Sequence, residues 1–138
     1  MITFNYETDF ILKDENQLEN WIKKVVSDKG FELGEINYIF CDDAYLLKLN
    51  VEFLQHDTLT DIISFDNSLG KLINGDIFIS VERVEDNAKD FKVSFDDELH
   101  RVMIHGVLHY MGFKDKSDDE KKEMRKEENK ALSVLKFW

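Results

Sequence analysis

Residues 60–80 read TDIISFDNSLGKLINGDIFIS, and this stretch decides the predicted fold. Residues 60–65 and 75–80 are rich in β-branched and aromatic side chains, which favours a strand in each. Residues 66–70 between them are mostly Asp, Asn, Ser and Gly, the residue types typical of a turn. Two strands joined by a short turn predict an antiparallel pair.

Upstream of this pair, the sequence alternates between strand and helix patterns. Residues 2–6 and 36–40 predict strands, and residues 16–29 predict a helix with one apolar face. Strand–helix–strand order is typical of parallel pairing. Combined with the antiparallel pair, it predicts an α+β fold in which a mixed four-stranded sheet packs against helices.

Downstream of residue 80 the pattern is helical. Residues 81–91 space their apolar side chains as a short helix does, and residues 95–111 predict a longer helix. Ser117 and Glu120 form a capping box that starts a final helix. The Lys- and Glu-rich part of that helix is predicted to be a solvated face.

Composition sets the broad class of protein. A chain of 138 residues, 43% of them hydrophobic, fits a single domain over residues 1–138. Cys41 is the one cysteine and cannot form an internal disulfide. No apolar run has the length of a membrane span, and the first residues lack signal-peptide features, so a cytoplasmic location away from membranes is expected. The net charge of −11 argues against broad, charge-driven nucleic-acid binding, and no DNA partner is expected.

Residues 105–115, HGVLHYMGFKD, carry the predicted chemistry. His105 and His109 are four residues apart and project from one face of a helix. Two histidine side chains placed in this way can bind one metal ion. Gly112 can reverse the chain after the helix, which would bring the Asp115 carboxylate to the same ion. Three protein ligands with an open fourth position are typical of catalytic zinc sites. We therefore expect one divalent metal ion per chain, zinc in the first instance, although two histidines and a carboxylate also suit iron or manganese.

The same spacing is found in zinc peptidases, which keeps a metallopeptidase open as an alternative function. Those enzymes carry a glutamate directly after the first histidine as general base. Gly106 occupies that position here. Without the carboxylate, the usual peptide hydrolysis mechanism lacks its proton shuttle.

Three blocks of the chain resemble the YbeY family of bacterial endoribonucleases and rRNA maturation factors. Residues 105–113 match its H-G-x-L-H-x-x-G-aromatic hallmark, and residues 60–65 and 75–80 match T-[DN]-V-L-S-F and G-D-I-x-I-S. The resemblance implies a metal at the mouth of a cleft and metal-dependent cleavage of single-stranded RNA. It further implies a role in small-subunit rRNA maturation and ribosome quality control, with rRNA and the small ribosomal subunit as partners.

Two positions depart from the family pattern. Asp115 stands where the family usually has a third histidine, and Leu54 stands where it has an arginine associated with activity. Leucine cannot bind a phosphate, so a non-catalytic, ribosome-associated factor with a metal site is a further alternative. His56, two residues after Leu54, is a candidate catalytic residue that could partly replace the arginine, or could equally be a loop histidine without a catalytic role.

Five further residues are candidates for function. Asp61 and Asp76, at the starts of the two strands, could orient a ligand histidine or hold water, or could equally cap local backbone. Lys89, Lys92 and Arg101 could steer an RNA backbone despite the acidic total charge.

Overall fold

The computed structural model describes residues 1–55 and 59–136. Its elements in chain order are β1 (Ile2–Tyr6), α1 (Glu15–Asp28), β2 (Glu32–Cys41), α2 (Asp43–Leu49), a π-helical segment (Asn50–Leu54), β3 (Ile62–Asp66), β4 (Leu72–Ser80), α3 (Val81–Phe91), α4 (Phe95–Tyr110) and α5 (Asp118–Lys136). Within the described residues, no helix combines the length and the apolar character that crossing a membrane requires.

The four strands form one mixed sheet in the order β1-β2-β4-β3. The pairs β1–β2 and β2–β4 are parallel, whereas β3 runs antiparallel to β4 at the edge. The parallel pair β1–β2 is joined through α1, and the antiparallel pair is joined by the turn at residues 67–71. The predicted α+β fold with a mixed four-stranded sheet is therefore confirmed.

The sheet has an apolar core on each face. The larger core contains side chains of the central strands, of the apolar face of α1 and of α4, among them Trp21, Tyr38 and Met103, all fully buried. The smaller core is built around Leu46 of α2 and Ile63 of β3. Because burial of one large apolar side chain stabilises a fold by about 1.5–3 kcal/mol, the larger face supplies most of the packing energy and holds α4 against the sheet.

The thiol of Cys41 belongs to the smaller core and is fully buried. Burial, with a smaller contribution from the charge of Asp42, raises the pKa of this thiol to about 12. The thiolate is the reactive form, so we expect the folded protein to resist iodoacetamide at pH 8 while the unfolded chain is labelled completely. Mass spectrometry with and without denaturant measures this, and fast labelling of the folded protein would show that the thiol is accessible.

The end of α4 is anchored on the antiparallel strand pair. The Tyr110 hydroxyl donates to the carbonyl oxygens of Asp76, at 3.0 Å, and Phe65, at 3.1 Å. Gly75 makes this approach possible, because a Cβ there would lie 2.5 Å from the Tyr110 hydroxyl and 2.4 Å from the Phe65 oxygen. The contact fixes the last turn of α4, which carries one of the predicted metal ligands.

The last helix, α5, is tied to α1 by polar contacts at its inner face. The Trp21 indole N–H donates to the Ala131 carbonyl at 2.7 Å, and the Lys29 ammonium binds the Glu127 carboxylate at 2.7 Å. Both Glu127 and Glu128 are buried. The prediction that the whole Lys- and Glu-rich part of this helix is a solvated face was therefore wrong at these two positions, because their carboxylates have cationic partners on neighbouring helices.

Candidate metal centre

The three predicted metal ligands lie together. His105 and His109 project from one face of α4, with their ring centres 4.5 Å apart. Their Nε2 atoms are 2.9 Å apart, and the Asp115 Oδ2 atom lies 3.1 Å from the first and 3.2 Å from the second. These donor atoms form a nearly equilateral triangle.

A glycine turn after α4 brings Asp115 back to the histidines. Gly112 has a φ of 97°, in the left-handed region that favours glycine. Its N–H donates to the His109 carbonyl at 3.0 Å, and the Phe113 N–H donates to the Leu108 carbonyl at 3.1 Å. These two bonds are those of a Schellman motif, which ends the helix and reverses the chain.

The triangle fits a single divalent ion. In a tetrahedral zinc site with bonds of about 2.0–2.1 Å, ligand atoms are about 3.3 Å apart. The observed separations of 2.9–3.2 Å are close to this value. Two imidazole nitrogens and one carboxylate oxygen are also a donor set that divalent transition metals accept, with a fourth position free for water or substrate.

Glu128 of α5 orients the first ligand, a role that the sequence patterns did not predict. The His105 Nδ1–H donates to Glu128 Oε2 at 2.7 Å, which turns the Nε2 lone pair towards the other two ligands. Arg101 donates to Oε1 of the same carboxylate at 3.0 Å. Burial alone would raise the pKa of Glu128, but the hydrogen bonds from His105 and Arg101 outweigh it and lower that pKa. Glu128 is therefore ionised at neutral pH.

The sequence did contain a signal for Glu128. Met124, Ala131 and Leu135 mark the apolar face of α5, and Glu128 lies on the same face, four residues after Met124. A charged residue within an apolar face is expected to have a buried partner.

Of the three predicted catalytic residues, the structure places one, Asp61, in the wall of the metal cleft. Asp61 lines the same cleft as the ligands, and its carboxylate accepts from the Asn87 amide at 3.4 Å. Burial raises the pKa of Asp61, although the neighbouring His105 acts in the opposite direction. Asp76 lies in β4 and accepts from the Asn37 amide at 2.9 Å, so the structure places it in the sheet and not in the cleft wall. His56 lies outside the described residues.

The ligands lie in a cleft of about 480 Å³ beside α3, α4 and α5. The part of the wall that the structure describes has, apart from the two histidines, the charged side chains of Asp61, Glu98, Asp115, Glu128, Arg101 and Arg125. Glu98 is buried, and this burial raises its pKa. Leu54 is exposed at the end of the π-helical segment and is not part of the described wall.

The cations predicted to steer RNA are only partly brought to the cleft. Arg101 lines it, but its guanidinium is bound to Glu128. Lys89 is exposed and forms an ion pair with Glu85 at 3.6 Å, and neither Lys89 nor Lys92 belongs to the described cleft wall. Arg125 does belong to it, and no sequence pattern singled it out.

Position 106 faces the sheet. A Cβ on Gly106 would lie 3.0 Å from Ile77 Cδ1 and 3.2 Å from Ile62 Cδ1. A glutamate side chain at this position would therefore meet the larger core instead of the metal ligands. This geometry weighs against the peptidase alternative, which needs a general base there.

Comparison with known proteins identifies the family. The profile of the family described as "Endoribonuclease YbeY" matches residues 2–136. A protein named Endoribonuclease YbeY from Flavobacterium johnsoniae is 59% identical over 135 residues, covering 98% of this chain and 97% of its own. The protein of the same name from Christiangramia forsetii is 51% identical over 134 residues, covering 97% of this chain and 94% of its own.

A solved structure shares the fold. The solution structure of a Thermotoga maritima protein superposes with a TM-score of 0.70 at 28% identity, and the match covers 98% of this chain and 89% of that one. The family profile and these relatives each match nearly the whole chain. The chain belongs to the YbeY endoribonuclease family and is a hydrolytic enzyme of that class.

Proposed function

We propose that residues 1–138 act as one domain and cleave single-stranded RNA with the help of one divalent ion, zinc in the first instance. The observation that carries this proposal is the triangle of His105, His109 and Asp115 donor atoms in an open cleft. When bound there, such an ion supplies Lewis acidity that polarises a phosphoryl oxygen and acidifies water. Membership of an endoribonuclease family supports RNA as the substrate.

Each side chain of the centre has a role in this proposal. His105, His109 and Asp115 hold the ion, and Glu128 keeps His105 in the tautomer that leaves Nε2 free. Asp61 accepts the proton that the attacking water loses. Its place in the cleft wall and its raised pKa support this role, because a general base works best when its pKa lies near the working pH.

The proposal includes a cellular setting. We infer that the chain acts in the cytoplasm on rRNA of the small ribosomal subunit, in its maturation and quality control, with neither DNA nor a membrane as partner. The family resemblance of the three sequence blocks supports this setting. Catalytic roles for His56 and Asp76 stay predictions.

One observation favours the non-catalytic alternative. Leu54, at the family's arginine position, is exposed and cannot bind a phosphate. A protein of this kind would bind metal and gain stability from it without cleaving RNA.

A substrate comparison tests the proposal. We expect the metal-loaded protein to cleave a single-stranded RNA and to leave the same strand largely intact when it is annealed to its complement. Casein should remain uncut, and a chelator should abolish RNA cleavage, because the ion supplies the activation of water.

The same assay separates the alternatives. Chelator-sensitive cleavage of casein would instead support the peptidase. Metal-dependent thermal stability without turnover of RNA or casein would support the non-catalytic factor.

A further inference from the structure

Arg125 is an exposed cation in the wall of the metal cleft. Its side chain is 55% exposed, and its Nε atom forms a long ion pair with Glu128 Oε1 at 3.7 Å, a separation too long for a hydrogen bond. Among the described residues, it has no hydrogen-bond partner. The Glu128 carboxylate accepts hydrogen bonds from Arg101 and His105 instead. The N–H groups of Arg125 are therefore available to a ligand, and a guanidinium matches the geometry of a phosphate.

Phe91 presents an exposed aromatic ring to the same cleft. It is the last residue of α3 and continues the apolar face formed by Val84 and Ala88. Those two side chains are buried, whereas Phe91 is 58% exposed and lines the cleft wall. Exposed aromatic rings in a cleft that also carries a cationic side chain are the groups on which nucleic-acid bases stack in single-strand binding proteins.

Both side chains line the same cleft as the metal ligands. Because α3 ends at Phe91 and α4 starts at Phe95, the ring lies near the first turn of α4. Glu98, in that part of the helix, precedes His105 by seven residues, which is two turns and about 10 Å along one face. A chain of RNA that reaches the metal ligands along α4 would pass this part of the wall.

The excess of negative charge in the cleft wall makes the Arg125 guanidinium important for binding RNA. Among the described residues, the wall contains two arginines and four carboxylates, of Asp61, Glu98, Asp115 and Glu128. Arg101 is hydrogen-bonded to Glu128, and Arg125 forms a long ion pair with the same carboxylate. With four carboxylates against two arginines, these residues alone repel a polyanion. A ligand with a negative backbone therefore needs Arg125 in addition to the bound ion.

We propose that Arg125 and Phe91 form a nucleotide subsite beside the metal centre, in which the guanidinium binds a backbone phosphate and the ring stacks on a neighbouring base. This inference rests on the proposed function and specifies how the substrate is held. The subsite favours single strands, because a base can stack on Phe91 only when it has left its partner.

The phosphate contact is tested by binding to a short 2′-O-methyl RNA, whose intactness is checked on a gel. We expect Arg125→Ala to weaken binding about tenfold, as loss of a charge-assisted hydrogen bond does. The slope of log Kd against log salt should fall by about 0.7, the value for one phosphate contact of a single strand. Lys126→Ala is the matched control, because Lys126 is an exposed neighbour on α5 outside the cleft wall, and it should change neither quantity appreciably.

The stacking contact is tested at position 91. We expect Phe91→Leu to weaken binding about tenfold and Phe91→Trp to preserve it, because leucine keeps an apolar side chain but cannot stack. For the wild-type protein, an abasic nucleotide at the position whose base stacks on Phe91 should weaken binding by a similar factor, and a scan of single abasic positions along the oligonucleotide identifies it. The same abasic nucleotide should cause no further loss in Phe91→Leu.

Two failures can be told apart. If the metal-loaded wild-type protein neither binds nor cleaves single-stranded RNA, the proposed function fails and the subsite fails with it. If the wild-type protein does both, but Arg125→Ala binds like Lys126→Ala and Phe91→Leu binds like Phe91→Trp, the subsite alone is wrong. Circular dichroism of each variant confirms that the comparison is made between folded proteins.

Discussion

His105→Ala is expected to lose the bound ion and RNA cleavage together. The substitution removes one of three donor atoms that lie 2.9–3.2 Å apart, and the two that remain cannot hold a divalent ion in a defined geometry. Metal content should fall from about one ion per chain to almost none, as measured by elemental analysis. RNA cleavage should fall at least about a thousandfold, because the ion contributes several kcal/mol to transition-state stabilisation.

His100→Ala is the matched control for this experiment. His100 lies in the same helix but packs edge-on against Trp21, with ring centres 6.2 Å apart, and is not part of the metal cleft. The His100→Ala protein should keep both the bound ion and the RNA-cleaving activity. Asp115→Ala should weaken metal binding while leaving the two histidines in place. A His105→Ala protein that still holds one ion per chain would show that the ligand set is wrong.

Local patterns were sufficient to predict the elements of the fold. The strand and turn residues of 60–80 and the apolar face of α1 depend on neighbours close in sequence, and the structure confirms both. The ends of β2 could not be predicted in the same way. This strand starts at Glu32 because its N–H donates to the Lys71 carbonyl, and the pairing with β4 contains a register shift between Leu33 and Ile36. Such contacts depend on the position of a strand that is distant in sequence.

In the metal centre, too, the features set by residues close in sequence were predictable, and those set by contacts between distant segments were not. The three ligands lie within eleven residues, and a helical turn with a glycine reversal determines their relative positions, so spacing alone predicted that they would meet. Glu128 reaches His105 from another helix, and this contact depends on how α4 and α5 pack. Asp61 and Asp76 both stand near the start of a predicted strand. Only the topology of the sheet shows that Asp61 lines the cleft, whereas Asp76 binds Asn37.

Glu128→Ala is expected to reduce both metal affinity and stability. Loss of the carboxylate leaves the His105 Nδ1–H and the Arg101 guanidinium without their acceptor. We expect metal affinity to fall about 10–100-fold, the usual effect of losing the partner that orients a ligand histidine. The free energy of unfolding of the metal-free protein should fall by about 2–3 kcal/mol. This is somewhat less than the loss of about 3–5 kcal/mol for a fully buried ion pair, because water reaches Arg101 and His105.

Glu127→Ala separates orientation of the ligand from general packing of α5. Glu127 is the adjacent buried carboxylate, but its partner is Lys29 of α1, 2.7 Å away, and it makes no contact with the ligands. Urea unfolding in chelator measures stability, and competition with a chelating dye measures metal affinity. Both variants should lose stability, and only Glu128→Ala should lose metal affinity. Equal losses of metal affinity in the two variants would mean that α5 supports the site only by packing. Glu127→Ala leaves the His105 hydrogen bond intact, and it would then disturb metal binding as much as Glu128→Ala, which removes that bond.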